Sequence, residues 1–438
     1  MEHSVFRKAY VRVISIIQSY KSSLVKNAFY LIIDKTSISV LGFIFWNIMA
    51  RFFVAAEVGI GTTLFSVSSF IALMANIGLG SGIIRFMPDD SISASRLINS
   101  SFTLTTIVAF IMCVIYLAGV TQWTPTLGFL QDNLLFMAVF FVVTIITALS
   151  VLTDSVFIAG RATKFVLQKN VLISVFKIPT PIILFYSFKG FGIFIGIGVA
   201  VIIGTLVTCI CFIPKVYRGF FMQPRIEKKY IKRIITYSLS NFIANLTNTA
   251  PQFIYPIMVL NVLGPEKSAY FYIAWMMTVV LAIIPNGIAQ SFFAEGSHDP
   301  LKLKRDGRKV IALSILASVP AVGMMILLGG WLLHFFGPGY RESGTEVLYY
   351  LALATIPQSI NSLYIAVNQV RKKVHIIIAQ TGVLAAIALG LGYWLLCRLG
   401  LPGAGIAYAL AHLIVALVVV WPLWGALKEK SPAAVATP

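Results

Sequence analysis

The 438-residue sequence contains few charged residues, and especially few acidic ones. Only 11% of its residues are Asp, Glu, Lys or Arg, whereas a soluble domain carries about 25%. None of its four cysteines has the spacing to a histidine that a metal site requires. Phosphate-binding GxxxxGK[ST] loops, Gly-x-Ser-x-Gly elbows and His-Glu-x-x-His pairs are absent. These absences argue against a typical soluble enzyme, and they predict no cofactor and no ATP hydrolysis by this chain.

The residues that dominate the sequence are apolar: 58% are hydrophobic, and the mean hydropathy is +0.90. Twelve apolar runs approach the ~20 residues that span a hydrocarbon core of ~30 Å. Backbone groups in lipid must be paired within the segment, so the runs predict helices; the alternating pattern of a barrel is absent. The runs are Ala28–Ala50, Gly59–Ser81, Leu97–Val120, Asn133–Thr153, Asn170–Phe188, Phe191–Pro214, Ile234–Leu260, Ser268–Ala294, Val310–Leu333, Val347–Val370, Val374–Cys397 and Pro402–Leu423.

The formal net charge of +19 is unevenly distributed. If the runs cross the membrane alternately from a cytoplasmic N-terminus, most of the 34 Lys and Arg fall in cytoplasmic segments. By the positive-inside rule, this bias predicts a multi-pass protein of the inner or plasma membrane with both termini in the cytoplasm. Basic loops beside anionic headgroups explain the charge without a nucleic-acid partner. The segments on the opposite side hold Arg51, Lys189, Lys267, Arg341 and Arg398.

Short matches recur in the sequence at an offset of about half its length. Glu57 and Gly78 in the first half correspond to Glu266 and Gly287 in the second. Transporters are often built from such repeats, with the substrate site between them. The predicted divisions are a cytoplasmic amphipathic segment over 1–27, a six-helix lobe over 28–214, a basic cytoplasmic linker over 215–233, a second six-helix lobe over 234–424 and a cytoplasmic tail over 425–438.

The stretch ARFFVAAEVGIGTTLFSVSSFIALMANIGLGSGIIRFMP resembles the region around the second helix of polysaccharide flippases. FIAGRATKFVLQKN and FGPGYRESGTEVLYYLAL resemble further parts of the same family. The sequence is thus similar to O-antigen or teichoic-acid type flippases of the multidrug/oligosaccharidyl-lipid/polysaccharide exporter superfamily. The residues that carry the resemblance in the first stretch are Arg51, Glu57, Gly59, Gly78, Leu79, Gly80, Arg85 and Phe86.

This resemblance implies an all-α membrane protein with twelve helices in two six-helix lobes around a central cavity. It implies a transporter, not an enzyme, that flips a polyprenyl-diphosphate-linked oligosaccharide by alternating access for cell-surface polysaccharide synthesis. Membrane lipids are expected partners, and glycosyltransferases or the polymerase of the same pathway are further candidates. One alternative is an ion-coupled multidrug or metabolite antiporter of the same superfamily. Another is a membrane glycan polymerase or ligase, which the small outer loops disfavour.

Ionisable residues within apolar runs are costly and usually functional. The diphosphate of such a substrate is anionic and calls for cationic side chains. Lys177 lies in the fifth run beside Pro179 and Pro181, which loosen a helix and favour a cavity-lining position. Asp34 and Lys35 lie about 100° apart on a helix, and we assign Lys35 to the diphosphate and Asp34 to ion coupling. The open alternative is that the two lysines snorkel to lipid headgroups.

Two arginines and a stripe of amides complete the candidate site. Arg51 ends the first run and Arg85 follows the second; both are assigned to the diphosphate, with interfacial anchoring as the alternative. Amides at spacings i, i+4, i+7 and i+11 on the seventh helix are predicted to bind glycan hydroxyls. Interhelical hydrogen bonding is the alternative. The stripe consists of Asn241, Asn245, Asn248 and Gln252.

The charge distribution makes a testable prediction about topology. In a variant whose native cysteines are replaced by serine, single cysteines at Pro125, Lys189 and Gly264 should react with a membrane-impermeant maleimide added to intact cells. A cysteine at Arg225, in the basic linker, should react only after the membrane is permeabilised. Labelling in the opposite pattern would contradict the predicted orientation.

Overall fold

The computed structural model of this chain describes residues 23–88, 93–298 and 300–428, and nearly all of them are helical. The segments predicted over 1–27 and 425–438 lie mostly outside the described residues. The helices are α1 Ser23–Phe52, α2 Ala55–Ala75, α3 Leu79–Phe86, α4 Ala94–Trp123, α5 Leu134–Ala159, α6 Lys164–Lys177, α7 Thr180–Ile183, α8 Lys189–Val207, α9 Ile213–Val216, α10 Lys228–Leu263, α11 Pro265–His298, α12 Pro300–His334, α13 Pro338–Leu353, α14 Thr355–Val370, α15 Val374–Leu399 and α16 Leu401–Lys428.

Nine helical stretches in the described part of the chain are long and apolar enough to span a membrane, which confirms a helical, multi-pass fold. The other three predicted runs fall on α6 with α7, on α10, and on α13 with α14. Two of these runs are each divided between two shorter helices, and amides lower the hydropathy of α10. The total of twelve spans therefore stays a prediction. The nine stretches are Phe29–Phe52, Ala55–Ala75, Ala94–Trp123, Leu134–Ala159, Tyr186–Val216, Pro265–Ser297, Asp306–His334, Val374–Leu399 and Leu401–Ala426.

The second predicted run is divided into two helices. α2 ends at Ala75, and the backbone then turns through Ile77 (φ 41°) and Gly78 (φ 75°) into the short helix α3. Glycine adopts this left-handed conformation without a steric penalty, so it is suited to end a helix. A Cβ atom on Gly78 would also lie 2.8 Å from the carbonyl oxygen of Ser238 in α10. The break therefore brings α3 against the second half of the chain.

The helices of each half of the chain pack mainly with one another. In the first half, α1 packs on α6, and α8 contacts α2, α5 and α6. In the second half, α11 packs on α12, α13 and α14, and α15 packs on α10 and α16. The main connection between the halves is α2, which contacts both α10 and α11. The largest apolar cluster accordingly contains side chains from both halves.

The crossing of α2 and α11 is very close. A Cβ atom on Gly59 would overlap the carbonyl oxygen of Pro265 at the start of α11. One turn further along α2, the hydroxyls of Thr63 and Ser268 lie 3.1 Å apart and share a hydrogen bond. The two segments that match in sequence, around Glu57 and Glu266, therefore meet at this crossing.

The connection between α9 and α10 lies along α4 and is held there by side chains. The Asn99 side chain donates to the carbonyl of Phe221 at 2.9 Å and accepts from the amide of Gln223 at 3.3 Å. The Thr103 hydroxyl accepts from the amide of Arg225 at 3.0 Å. These bonds satisfy backbone groups that have no helical partner. The connection is thus an ordered part of the first half.

The α2–α11 crossing predicts a steric effect of substitution. Gly59→Ala should force the two helices apart and cost about 1–3 kcal/mol, as overpacking of a tight contact does. The measurement is the thermal unfolding midpoint of the detergent-purified protein. Gly323→Ala is the matched control, since a Cβ atom there meets no atom within 4 Å. Equal midpoints for the two variants would contradict the close crossing.

Candidate functional site

A cavity of about 420 Å³ lies between the two halves of the chain. Its wall is formed by α1, α2, α6 and α8 from the first half and by α11 and α12 from the second. Most of the wall is apolar, and Lys177 is the one charged residue on it. The described lining residues are Ile38, Ser39, Gly42, Phe43, Phe45, Trp46, Phe65, Lys177, Ile197, Tyr272, Met276, Met277, Val279, Val280, Met325 and Leu332.

Lys177 is the last residue of α6 and is half-buried. The helix stops there because Pro179 and Pro181 follow, and proline cannot continue the backbone hydrogen-bond ladder. The ammonium nitrogen lies 5.2 Å from the centroid of the Phe45 ring, a cation–π contact. Among the described residues Lys177 forms no ion pair. Its charge is therefore available to an anion in the cavity.

Aromatic side chains from both halves surround this charge. The rings of Trp46 and Tyr272 meet edge to face across the two halves, with centroids 5.1 Å apart. Phe43 packs in the same way on Phe336, at 5.0 Å. The sequence analysis did not single out these rings, because aromatic residues are frequent in apolar helices and only their convergence distinguishes them.

Asp34 and Lys35 point in different directions from α1. Asp34 is buried, with 1% of its surface exposed, and its Oδ1 accepts a hydrogen bond of 2.9 Å from the Asn170 side chain on α6. Lys35 is exposed. It precedes the cavity residues Ser39 and Trp46 by four and eleven positions, so it continues their helical face. Lys35 thus lies on the face of α1 that lines the cavity, and Asp34 belongs to the packed interior of the first half.

Arg51 is exposed, and it contacts the second half of the chain at one end of the cavity. Its guanidinium donates to the carbonyl of Phe335 at 3.1 Å, and Asn47 donates to the same oxygen at 2.8 Å. Nearby, Asn261 donates to the carbonyl of Trp123 at 2.6 Å. Together with the α2–α11 crossing, these contacts close the bundle at the end we call the Arg51 end. Arg51 does not lie on the cavity wall.

At the opposite end, which we call the Arg85 end, the short helix α3 packs on the N-terminal part of α10. Arg85 itself is exposed near the end of α3. The residues of α1 and α11 that continue from the cavity wall towards this end are exposed. The exposed residues on these faces are Ile32, Lys35, Thr36, Val40, Val279, Val280 and Ile283.

The predicted amide stripe lies apart from the Lys177 cavity. All four of its residues are exposed on one face of α10, and none of them is on the cavity wall. On the neighbouring face of α10, the Thr247 hydroxyl pairs with Thr381 of α15 at 2.7 Å. None of the four predicted glycan residues is therefore among the described residues that line the cavity around Lys177.

An ion pair inside the first half escaped the sequence analysis. Lys169 on α6 has 1% of its surface exposed, and its ammonium lies 2.5 Å from Oδ1 of Asp154 on α5. The fourth predicted run ended at Thr153 and the fifth began at Asn170, so each partner fell one residue outside. A charge next to the edge of an apolar run, with an opposite charge at the edge of the next, was the available signal.

Comparison with known families identifies one match over most of the chain. A family model described as "Polysaccharide biosynthesis protein" matches residues 24–293, which is more than half of the sequence. A relative from Shigella flexneri, described as a putative O-antigen transporter, is 25% identical over 204 residues. The match covers 44% of this chain and 47% of the relative, so it spans about half of the relative's length.

Solved structures of similar fold cover nearly the whole chain. Inward-facing and outward-facing structures of a multidrug resistance MATE family transporter of the MOP superfamily match with TM-scores of 0.66 and 0.64. They cover 92% and 93% of this chain and 96% of their own, at 16% and 15% identity. A MOP superfamily transporter from Pyrococcus furiosus, described as having a binding pocket of reverse polarity, matches with a TM-score of 0.64 at 16% identity. At such identities the likeness establishes the fold alone.

Proposed function

The chain belongs to the polysaccharide biosynthesis protein family, and from this premise we propose that it flips a polyprenyl-diphosphate-linked oligosaccharide across the cytoplasmic membrane. Its family, its fold and its apolar helices make it a multi-pass membrane transporter of the MOP superfamily rather than an enzyme. The flipped glycan would then be used for cell-surface polysaccharide synthesis. No bond is made or broken in this step, so the protein needs to supply only a passage and a driving force.

The observation that carries the proposal is the cavity with a single cation on its wall. A diphosphate group is anionic, and Lys177 offers it a charge that no carboxylate of the described structure neutralises. Trp46 and Tyr272 offer broad, rigid faces on which sugar rings can pack. The polyprenyl tail is apolar and stays in the bilayer. Cavity and lipid together thus suit the three chemically different parts of the substrate.

Alternating access is proposed to follow from rocking of two lobes, 28–214 and 234–424, joined by the linker 215–233. The sparse positive charge at the Arg51 end favours the outside for that end, so we propose that the contacts there form an outer gate and that the described state faces inwards. The substrate then enters past Arg85 and Lys35 and reaches Lys177. Arg51 would meet the diphosphate once the gate opens and its bond to Phe335 breaks.

The driving force is assigned to an ion gradient that acts through Asp34. A carboxylate with 1% exposure inside a membrane bundle is costly to keep charged, so its occupancy is linked to the conformation around it. The amide stripe of α10 is proposed to serve the glycan at a separate surface. Its hydrogen bonds to neutral hydroxyls are worth only about 0.5–1.5 kcal/mol each, so it would tune selectivity for the glycan.

The second candidate is a multidrug or metabolite antiporter of the same superfamily. The observation that raises it is that a multidrug resistance MATE family transporter has a similar fold. Lys177 argues against it for cationic drugs, since an ammonium group on the cavity wall repels them. Drug resistance that depends on Asp34 would favour the antiporter over the flippase. A membrane polymerase or ligase is a third class, and the transporter family argues against it.

Removal of the Lys177 charge should stall glycan export. A charge-assisted contact contributes about 1.5–3 kcal/mol, so Lys177→Ala should lower substrate affinity roughly ten- to a hundredfold. Lys177→Arg should keep part of the function, because the charge is retained. The measurement is the amount of glycan exported by cells at matched protein levels in the membrane.

Lys164→Ala is the control for this experiment, since Lys164 is an exposed lysine at the other end of α6. It should export glycan at the level of the unmodified protein. Full export by Lys177→Ala would remove Lys177 from the site. A well-tolerated Lys177→Gln would indicate instead a lysine that reaches the headgroups.

A disulfide across the α2–α11 crossing should hold the gate closed. The hydroxyl oxygens of Thr63 and Ser268 are 3.1 Å apart, so cysteines at both positions can bring their sulfur atoms together. Under oxidising conditions the double variant should lose export, and dithiothreitol should restore it. Each single cysteine variant is a control and should be insensitive to the oxidant. Unchanged export with the disulfide formed would show that transport proceeds without separation of these helices.

A further inference from the structure

Lys169 is an internal cation whose hydrogen-bonding capacity is fully used. Its ammonium donates to Asp154 Oδ1 at 2.5 Å, to the Ser150 carbonyl at 2.7 Å and to the Thr153 hydroxyl at 3.3 Å. An ammonium group has three hydrogens, and each has an oxygen partner here. The side chain is 1% exposed, so water contributes little. Lys169 therefore occupies a site built of three oxygens in the way that a bound metal cation would.

Asp34 contacts the same helix, α6, through Asn170, the residue after Lys169. Asn170 donates its amide hydrogen to Asp34 Oδ1 at 2.9 Å, and Asp34 is also 1% exposed. Because Asn170 faces the carboxylate with its nitrogen, its oxygen is directed elsewhere. A metal cation at Asp34 would find a hydrogen-bond donor at this position, whereas a protonated carboxyl keeps Oδ1 as an acceptor.

The charges around Asp34 come from three helices. Asp154 on α5, Lys169 on α6 and Lys35 on α1 are close enough to act on Asp34 electrostatically. Lys35 is exposed and the side chain of Asp154 is 32% exposed, so Asp34 and Lys169 are the fully buried groups. Asp34, Asp154 and Lys169 together carry one negative charge in excess. The helices α2 and α11 also contact α1, and apart from Tyr270 and Tyr272 of α11 their titratable residues lie near their ends. These residues are Glu57, Glu266, Lys267, Glu295 and His298.

We propose that Lys169 is a built-in counter-cation that makes the coupling site selective for a proton over Na⁺. A metal cation needs several oxygen ligands, and Lys169 already holds the three oxygens beside Asp154. A proton needs only one carboxylate oxygen, and it neutralises the Asp34 carboxylate, whose charge is costly to keep buried. The inference rests on the proposed function, in which Asp34 is the coupling carboxylate.

Two measurements test this selectivity. Binding of radioactive Na⁺ to the purified protein requires no transport substrate, and the unmodified protein should bind no more than Asp34→Asn. In proteoliposomes with a pH gradient, the unmodified protein should flip the lipid-linked glycan in Na⁺-free medium. Lys169→Gln frees three oxygens beside two carboxylates, so it should gain Na⁺ binding. Its flipping without Na⁺ should fall roughly tenfold or more, and added Na⁺ should restore it.

Lys164→Gln is the matched control, because it removes an exposed lysine from the same helix and should leave both measurements unchanged. Na⁺ binding by the unmodified protein that Asp34→Asn abolishes would overturn the proposal. Unchanged Na⁺-free flipping by Lys169→Gln would do the same.

A second variant is needed in case Lys169→Gln does not accumulate. Lys169→Gln with Asp154→Asn removes both charges of the ion pair and should keep proton-driven flipping without Na⁺. A Na⁺ requirement in this double variant would overturn the proposal. If the unmodified protein flips no glycan in either medium, the proposed function is wrong, and the Na⁺ binding measurement still decides the selectivity.

Discussion

The close crossing of α2 and α11 is the contact on which the arrangement of the two halves depends. Apolar side chains of a membrane helix gain no hydrophobic free energy when they exchange lipid for another helix. Such helices therefore associate through tight packing, which small residues allow. Gly59 and the hydroxyl pair of Thr63 and Ser268 supply this packing. With α2 also packed on α10, one side of the interface is closed along its length. The space between α1 and α11 remains, and the cavity lies there.

Two lysines on one helix, α6, show how the surroundings of a cation determine its use. Lys169 pairs with Asp154 and two further oxygens, so its charge is already satisfied within the protein. Lys177, two turns further along α6, contacts an aromatic ring and has no carboxylate partner in the described structure. A ring stabilises a cation only weakly, so an arriving anion can compete for it. Lys169 thus forms an ion pair within the protein, whereas Lys177 is available to bind a ligand.

The sequence was sufficient to predict features that depend on composition and on single residues. It predicted the helical membrane class, the family, and a helix loosened at Pro179 and Pro181. Lys177 was singled out because a lysine next to two prolines is unusual within an apolar run, and its functional role stays a prediction. Features that need two distant segments were out of reach. The pairing of Lys169 with Asp154, and the separation of the amide stripe from the cavity, depend on how the helices are rotated about their axes.

The connection between α9 and α10 has a mechanical consequence. If the connection were flexible, a linker of that length would allow the two halves to move far apart. Because Asn99 and Thr103 hold the connection along α4, it does not act as a flexible linker. The hinge between the halves then lies where α10 begins. The second half can then swivel about this point but cannot translate away from it. For a given rotation about this point, residues further along α10 are displaced further.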